Sequence, residues 1–444
     1  MKKILALLLS LVMIISCSVV FAGAVFCEEE NDEPLQFGSD GKFKVLQLAD
    51  LQDGPIFRPL TENFINDLLD REKPDLVVLT GDNIAPGGAQ TYGLTRIAIN
   101  KYMSIFETRG VDVAIVYGNH DYDRNLVSKE GQWKIYESYD CFIGKGDSKE
   151  LTGYGTYNLP IMSSDGEKVA FNLWFFDSQM GNTENDLGGY GCVAHDQIEW
   201  YVETENALKE ANGDKAVPSF AFQHIVLPEV YDCMTKIAQA LDEEALEEMG
   251  YEIGMELDED KYYVAESGTV YEIVGDISLY DEKRTIVRDT GGVYVFPEEY
   301  WDENTFLGES CAPPRYSNGQ ADALVDNGDV LGIAVGHDHV NCFVLPYRGL
   351  DIVQTPTCSF GSYGDMNRGA RVLVFDENDT SSYDTELIFF RDYYDLSDPI
   401  LYNRFVFNSE SDDYTDEDRF VAMLKWFYYE IAYKFEKIIS LFKF

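Results

Sequence analysis

Five short polar clusters carry the chemistry this sequence can do: Asp50-Leu51-Gln52, Gly81-Asp82-Asn83, Gly118-Asn119-His120-Asp121, His224, and Gly336-His337-Asp338-His339. The chain has 5 histidines, at 120, 195, 224, 337 and 339, and all but His195 fall in these clusters. One histidine after an apolar run is ordinarily just a satisfied polar residue. Together with the aspartates and an asparagine, four of them supply imidazole, carboxylate and amide oxygen, a donor set for Mn, Fe, Mg or Zn. A carboxylate can bridge two such ions ~3.5–4 Å apart, where they clamp the attacking and departing oxygens of a displacement at phosphorus. Gly81, Gly118 and Gly336 are expected to let the backbone turn tightly, so that the next side chain faces a common crevice.

Each cluster closes an apolar run. The segments 44–50, 74–83, 111–121, 169–178, 218–224, 329–339 and 370–376 read as strands, with helices around 63–69 and 92–109 between the first three. Their runs are nearly continuous and rich in β-branched residues, as in strands buried on both faces. Strand–helix–strand units give right-handed crossovers and a largely parallel sheet. Ligands collect beyond the carboxyl ends of such strands, which is where the five clusters stand. So many strands favour two packed sheets over one. Between 229 and 309 the pattern breaks into acidic, Tyr-rich sequence that reads as an insertion.

In order and in context, the five clusters resemble the calcineurin-like metallophosphoesterase superfamily. The flanking segments KVLQLADLQDG, DLVVLTGDNI, GNHD, FFDS, GHDHVN and FGSYG are similar to the Dcr2-type and purple-acid-phosphatase-like branch. The resemblance spans roughly residues 42–376. It implies an α/β fold, a four-layer α/β/β/α sandwich of two mixed sheets. It also implies two divalent metal ions, with Asp50 and His339 on the first, Asp82 bridging, and Asn119, His224 and His337 on the second. A metal-bound hydroxide would attack a phosphate ester while His120 stabilises the phosphoryl oxygens or protonates the leaving group. Asp121 and Asp338 would orient the adjacent histidines.

The sequence departs from the family at Gln52, where the pattern usually has histidine. An amide oxygen is a harder and weaker ligand than imidazole, which favours Mn, Fe or Mg over Zn at the first metal. Ala85 stands where purple acid phosphatases carry the tyrosine of their chromophore, so no ferric-tyrosinate colour is expected. His195 matches no motif and reads as a surface residue at a helix start. Arg58, Arg96, Arg124, Arg368 and Arg371 are candidates for holding a substrate phosphate.

Length and charge set the remaining bounds. The chain has 444 residues and a formal charge of −45, with 45% hydrophobic and 14% aromatic residues, enough for a large core. A field of that sign disfavours nucleic acid as a partner and leaves a small phosphorylated substrate open, because local cations reverse the field inside a site. The insertion holds 23 acids against 5 bases, so much of the charge lies outside the motif-bearing segments. Eight cysteines include no CxxC pair, and their connectivity is not readable.

The ends carry targeting signals. Lys2 and Lys3 precede an uncharged run to Phe26 with Ala22, Gly23 and Ala24 inside it. Three readings stay open: a signal peptide spanning 1–24, an uncleaved anchor, or a lipoprotein signal with Cys17 lipidated. Each predicts an exported protein, secreted or attached to the outer face of the cell membrane. The expected organisation is an acidic linker over 25–40, a catalytic domain over 41–397 with the insertion at 229–309, and an acidic tail and amphipathic helix over 398–444. That helix carries Phe420, Leu424, Phe427 and Ile431 at helical spacing with basic flanks. It would dock on the protein's own surface, or meet a membrane surface or a partner. The leading function is an exported phosphomonoesterase. A phosphodiesterase or nucleotide hydrolase on the same metals, and a binding module without turnover, are the alternatives.

Overall fold

Apolar runs that are too continuous for a one-sided sheet become central strands covered on both faces. The computed structural model describes residues 34–440, except 56–57, 89, 147–150, 182–186, 266, 282, 289 and 410–413. The leader, anchor and lipidation readings therefore fall outside the described residues. The first elements are β1 (Leu35–Gln36), β2 (Lys42–Leu48), α1 (Pro59–Glu72), β3 (Leu76–Thr80), α2 (Tyr92–Arg109), β4 (Asp112–Val116) and α3 (Lys129–Tyr136). Next come β5 (Tyr157–Met162), β6 (Val169–Phe175), α4 (His195–Ala211) and β7 (Ser219–Phe222). The acidic stretch contributes β8 (Thr235–Ala240), α5 (Glu243–Met249), β9 (Tyr262–Val264), β10 (Val270–Ile273), β11 (Thr285–Val287), β12 (Gly292–Val295) and β13 (Phe306–Leu307). After α6 (Gln320–Asn327) follow β14 (Val330–Val335), β15 (Asn341–Tyr347), β16 (Leu350–Gln354), β17 (Gly369–Asp376) and β18 (Asp379–Phe389). The chain ends in α7 (Phe390–Tyr393), α8 (Pro399–Asn408) and α9 (Asp416–Ser440).

Two mixed sheets face each other. One has the order β18-β17-β2-β3-β4, and the other β1-β5-β6-β7-β14-β16-β15-β13. Strands β2, β3 and β4 run parallel, as do β6, β7, β14 and β16. Aromatic rings fill the space between the sheets: Phe171 stacks on Phe375 at 4.5 Å, and Phe220 meets Tyr383 at 4.9 Å. On the outer side of the larger sheet, Trp174 of β6 meets Trp200 and Tyr201 of α4 edge-on. This is the α/β/β/α sandwich that the resemblance implies.

Polar stitching holds the two sheets in register just below the strand ends. The buried Gln47 amide of β2 donates to Thr80 Oγ1 of β3 and to the Val335 carbonyl of β14, and its oxygen accepts from Thr355 Oγ1. Arg371 donates to Thr355 Oγ1, Thr385 Oγ1 and the Gln354 carbonyl. Its burial pushes the guanidinium down to about 10. Arg368 is equally buried and donates to the carbonyls of Ser359, Ser362 and Asp365. Both belong to the scaffold, which corrects their reading as phosphate-binding candidates.

The acidic stretch folds into a third, antiparallel sheet, order β11-β12-β8-β10-β9, around a small core of Ile237, Ala238, Tyr271, Val293 and Val295. Helix α9 lies on α8, with Ala422 buried and Trp426 stacked on Phe407. Its other face leaves Phe420, Leu424, Phe427 and Ile431 at least half exposed. Docking on the protein thus uses one face of the helix and leaves the predicted apolar stripe open. Among the described residues, no helix is long and apolar enough to cross a membrane. The six described cysteines form no disulfide.

Candidate metal centre

The strand ends deliver the polar clusters to one place. Asp50 and Gln52 follow β2, Asp82 follows β3, Asn119 and His120 follow β4, His224 follows β7, and His337 and His339 follow β14. Four of these residues have left-handed backbones: Asp50 (φ 54°), Gln52 (φ 36°), Asp82 (φ 50°) and His337 (φ 75°). Each such position costs about 1–3 kcal/mol and persists where the surroundings over-determine it, typically at functional sites. Gly81 makes the tight turn expected of it, with φ 88°, whereas Gly118 and Gly336 have a different task. A Cβ on Gly118 would strike Asp82, and one on Gly336 would come within 2.7 Å of Asp50 Oδ2. Bare backbone is what lets the two carboxylates sit this deep.

Two groups of ligand atoms share Asp82. Atoms of Asp82, His224 and His337 lie within 4.8 Å of one another, and so do atoms of Asp50, Asp82 and His339. All five residues are buried. Asp50 Oδ2 accepts from the His337 amide, while Oδ1 is buried without a hydrogen-bond partner. His337 Nε2 is likewise buried without one. Unpaired buried lone-pair atoms converging from different strands are costly unless a cation completes them. The set therefore fits a dinuclear centre.

The histidines are pre-set as ligands. His224 Nδ1 lies 2.9 Å from the Thr80 carbonyl and His339 Nδ1 lies 3.0 Å from the Tyr363 carbonyl. In both, the carbonyl holds the Nδ1 proton and aims Nε2 inward. His224 Nε2 is 3.3 Å from Asp82 Oδ2 and 3.0 Å from Asn119 Oδ1. His339 Nε2 is 3.4 Å from Asp50 Oδ1. Burial and the neighbouring His224 charge push His337 well below the ordinary histidine range, so its ring is neutral and ready to bind. Burial favours the acid form of Asp82, but the charge and hydrogen bond of His224, with the charge of His120, outweigh it and hold the carboxylate ionised.

Gln52 reaches the group formed by Asp50, Asp82 and His339. Its Nε2 donates to Asp82 Oδ2 at 2.8 Å and lies 3.3 Å from His339 Nε2. The expected ligand atom is the amide oxygen, whereas the nitrogen is the atom turned inward. A half-turn of the carboxamide presents the oxygen instead.

His120 stands at the rim with its side chain 33% exposed, Nε2 4.0 Å from Asp82 Oδ2. Asp121 does not orient it. Its carboxylate is fully buried and accepts from the amides of Ile84 and Gly118, bracing the loop. Burial and the nearby Asp82 charge push Asp121 up to about 7. The carboxylate beside the imidazole is Asp123, Oδ2 to Nδ1 3.5 Å, one turn along the same loop. Asp338 similarly accepts from the Ala312 amide. Two rings that carry no ligand atom also touch the site: Tyr190 stands edge-on to His337 at 4.3 Å, and Tyr363 lies against His339. His195 lies exposed at the start of α4, as expected.

The calcineurin-like phosphoesterase family model matches residues 43–341, which carries every cluster just described. The chain belongs to the calcineurin-like phosphoesterase family. Among its relatives, Probable inactive purple acid phosphatase 14 of Arabidopsis thaliana is 24% identical over 77% of this chain and 76% of its own length. Phosphatase DCR2 of Saccharomyces cerevisiae is 31% identical over 46% of this chain and 38% of its own. A solved dimetal phosphatase from Danio rerio is 13% identical and covers 77% of this chain and 98% of its own, with a TM-score of 0.43.

Proposed function

We propose that this chain is an exported dinuclear phosphoesterase that hydrolyses monoesters of small phosphorylated substrates. The observation that carries the reading is the sharing of Asp82 by two groups of buried ligand atoms, each with a polar atom left unpaired. Asp50, His339 and Gln52 would hold one ion, and Asn119, His224 and His337 the other, with Asp82 between them. Such ions supply an acidified water and neutralise the charge on the phosphoryl oxygens. His120, at the rim, holds a proton for the departing alkoxide, and Asp123 keeps its ring in place. Asp121 and Asp338 brace the loops that carry these groups. The monoester preference follows the word phosphatase in the names of the relatives.

A binding module without turnover is the competing reading. It is favoured by Gln52 in the usual histidine position and by the word inactive in the names of three relatives. Metal analysis with hydrolysis of a monoester and a diester under Mn or Fe separates the two. Turnover of the monoester ahead of the diester supports the proposal; two bound metals with neither ester cleaved supports the module; a preferred diester transfers the activity to phosphodiesterases. The basic, then apolar, N-terminal segment is the support for export. The acidic insertion would repel large polyanions and leave small phosphates free to enter.

A further inference from the structure

Beside His120 opens a cleft of about 540 Å³, within the roughly 300–1,000 Å³ usual for small-molecule sites. Its walls include Tyr122, Lys129, Glu130, Tyr154, Gln179 and Met180. Each wall is linked to the metal centre through a neighbouring residue. Tyr122 stands two residues beyond His120, in the turn that the Asp123 amide closes on the Asn119 carbonyl. On the other side, Gly181 bridges to Tyr190, whose ring abuts His337. An ester with its phosphoryl group over the metal ligands would send its leaving group past His120 into this space.

The lining sets what that group can be. Lys129 Nζ lies 2.7 Å from each oxygen of the buried Asp177, so among the described lining residues the only cation is already neutralised. Asp177 also accepts from the amides of Tyr154 and Gln179, which fixes two wall residues. Glu130 is paired outward with Lys134 at 2.7 Å. Among the described lining residues no free cation is left to receive a carboxylate or a second phosphate. Tyr154 is held edge-on by Trp133 at 5.4 Å, while Tyr122 and Met180 are 51% and 40% exposed. Two tyrosine rings and a thioether around an otherwise neutral cleft make a platform for a flat aromatic ring.

We propose that this cleft is the leaving-group subsite and that it selects phosphate esters of uncharged aromatic alcohols over esters bearing a second anionic group. The proposal rests on the phosphoesterase reading above, and its test separates the two. The metal-loaded protein is titrated with naphthalene-2-phosphonate and with methylphosphonate, which are not hydrolysed, so binding is read whether or not turnover occurs. In parallel, kcat/KM is compared for 2-naphthyl phosphate and for an aryl phosphate carrying a carboxylate. The naphthyl compounds are expected to bind and react better, and Tyr122→Ala to cut that preference about fivefold. Met180→Lys should raise the relative rate on the carboxylate-bearing ester. Because Tyr122 and Met180 are exposed, neither change opens the core. Equal affinity for the two phosphonates, or variants that change both substrates by one common factor, overturns the subsite. Selective phosphonate binding with no ester cleaved keeps the subsite and overturns the enzyme.

Discussion

The ring of Tyr363 lies flat on the imidazole of His339, with centroids 4.0 Å apart and planes inclined by 18°. The same tyrosine's carbonyl takes the Nδ1 proton of that imidazole, and its hydroxyl donates to Glu309 Oε2 at 2.7 Å. Glu309 Oε1 in turn accepts from the amide of Val340, the residue after His339. The end of the acidic stretch therefore reaches the metal centre through one stacked ring. Tyr363→Ala should weaken binding of the first metal by about 10- to 100-fold, the range for lost supporting contacts around a ligand. Tyr363→Phe keeps the stack and should fall between wild type and alanine. Competitive chelator titration checks both; an alanine variant with wild-type affinity removes the positioning role.

Asp82 and His120 should fail in different ways. Asp82 serves both groups of ligand atoms, so Asp82→Asn is expected to lower the content of both metals and with it the activity. His120 belongs to neither group. His120→Ala should retain the metals and lose about 10²- to 10⁴-fold in kcat, the usual contribution of a positioned proton donor. Metal analysis beside steady-state kinetics tells them apart. Loss of metal from the His120 variant would move that residue into the ligand set.

Metal uptake should release a proton. Burial disfavours the His224 imidazolium, but the charge and hydrogen bond of Asp82, with Asp50, push it up to about 10. The raised value means this group stabilises the metal-free protein below its ordinary titration range, and that stabilisation is lost as pH rises toward 10. A metal must displace the proton, so its affinity rises with pH, by up to about tenfold per unit for one proton displaced. Calorimetric titrations between pH 6 and 8 in buffers of different ionisation enthalpy measure the release directly. Identical heats in all buffers would contradict it.

The strands that carry the ligands were readable because burial on both faces makes β2, β3, β4, β7 and β14 continuous apolar runs with polar residues directly after them. The third sheet gave no such signal. Its strands are 3 to 6 residues long and half-exposed, so their composition resembles that of loops. β18 is an edge strand with most residues facing water, and it was missed for the same reason. Within the site, residue type fixed the candidate ligands, but direction came from the backbone. Asp121 is adjacent to His120 in sequence yet points into the loop, whereas Asp123 turns back to the ring. Tyr363 meets His339 across 24 residues, and no spacing rule links them.

Gln52 offers a gain-of-function test. Its amide already spans Asp82 and His339, so the position lies within reach of the first metal. An imidazole there binds more strongly than an amide oxygen, particularly to Zn. Gln52→His is expected to raise affinity for the first metal and shift preference toward Zn while keeping turnover. Its backbone has φ 36°, a conformation that asparagine and histidine tolerate better than branched residues, so the variant should fold. A folded variant with unchanged metal affinity would place residue 52 outside the ligand shell.

The open face of α9 makes a prediction away from the active site. Phe420, Leu424, Phe427 and Ile431 occupy one side of the helix, and the segment 419–444 carries 5 bases against 2 acids in an otherwise acidic protein. An apolar stripe with cationic flanks partitions into the interface of an anionic bilayer, where each half-buried side chain contributes in proportion to its apolar area. A protein beginning at Leu35, which removes the N-terminal segment, should sediment with vesicles containing phosphatidylglycerol and less with purely zwitterionic ones. Changing the four stripe residues to serine should abolish sedimentation without altering hydrolysis of a small ester, because Ala422 and Trp426 still hold the helix on α8. If the serine variant sediments as wild type does, the stripe has no membrane role. If the wild-type protein stays in the supernatant and behaves as a dimer that the variant cannot form, the stripe covers a second copy of the chain instead.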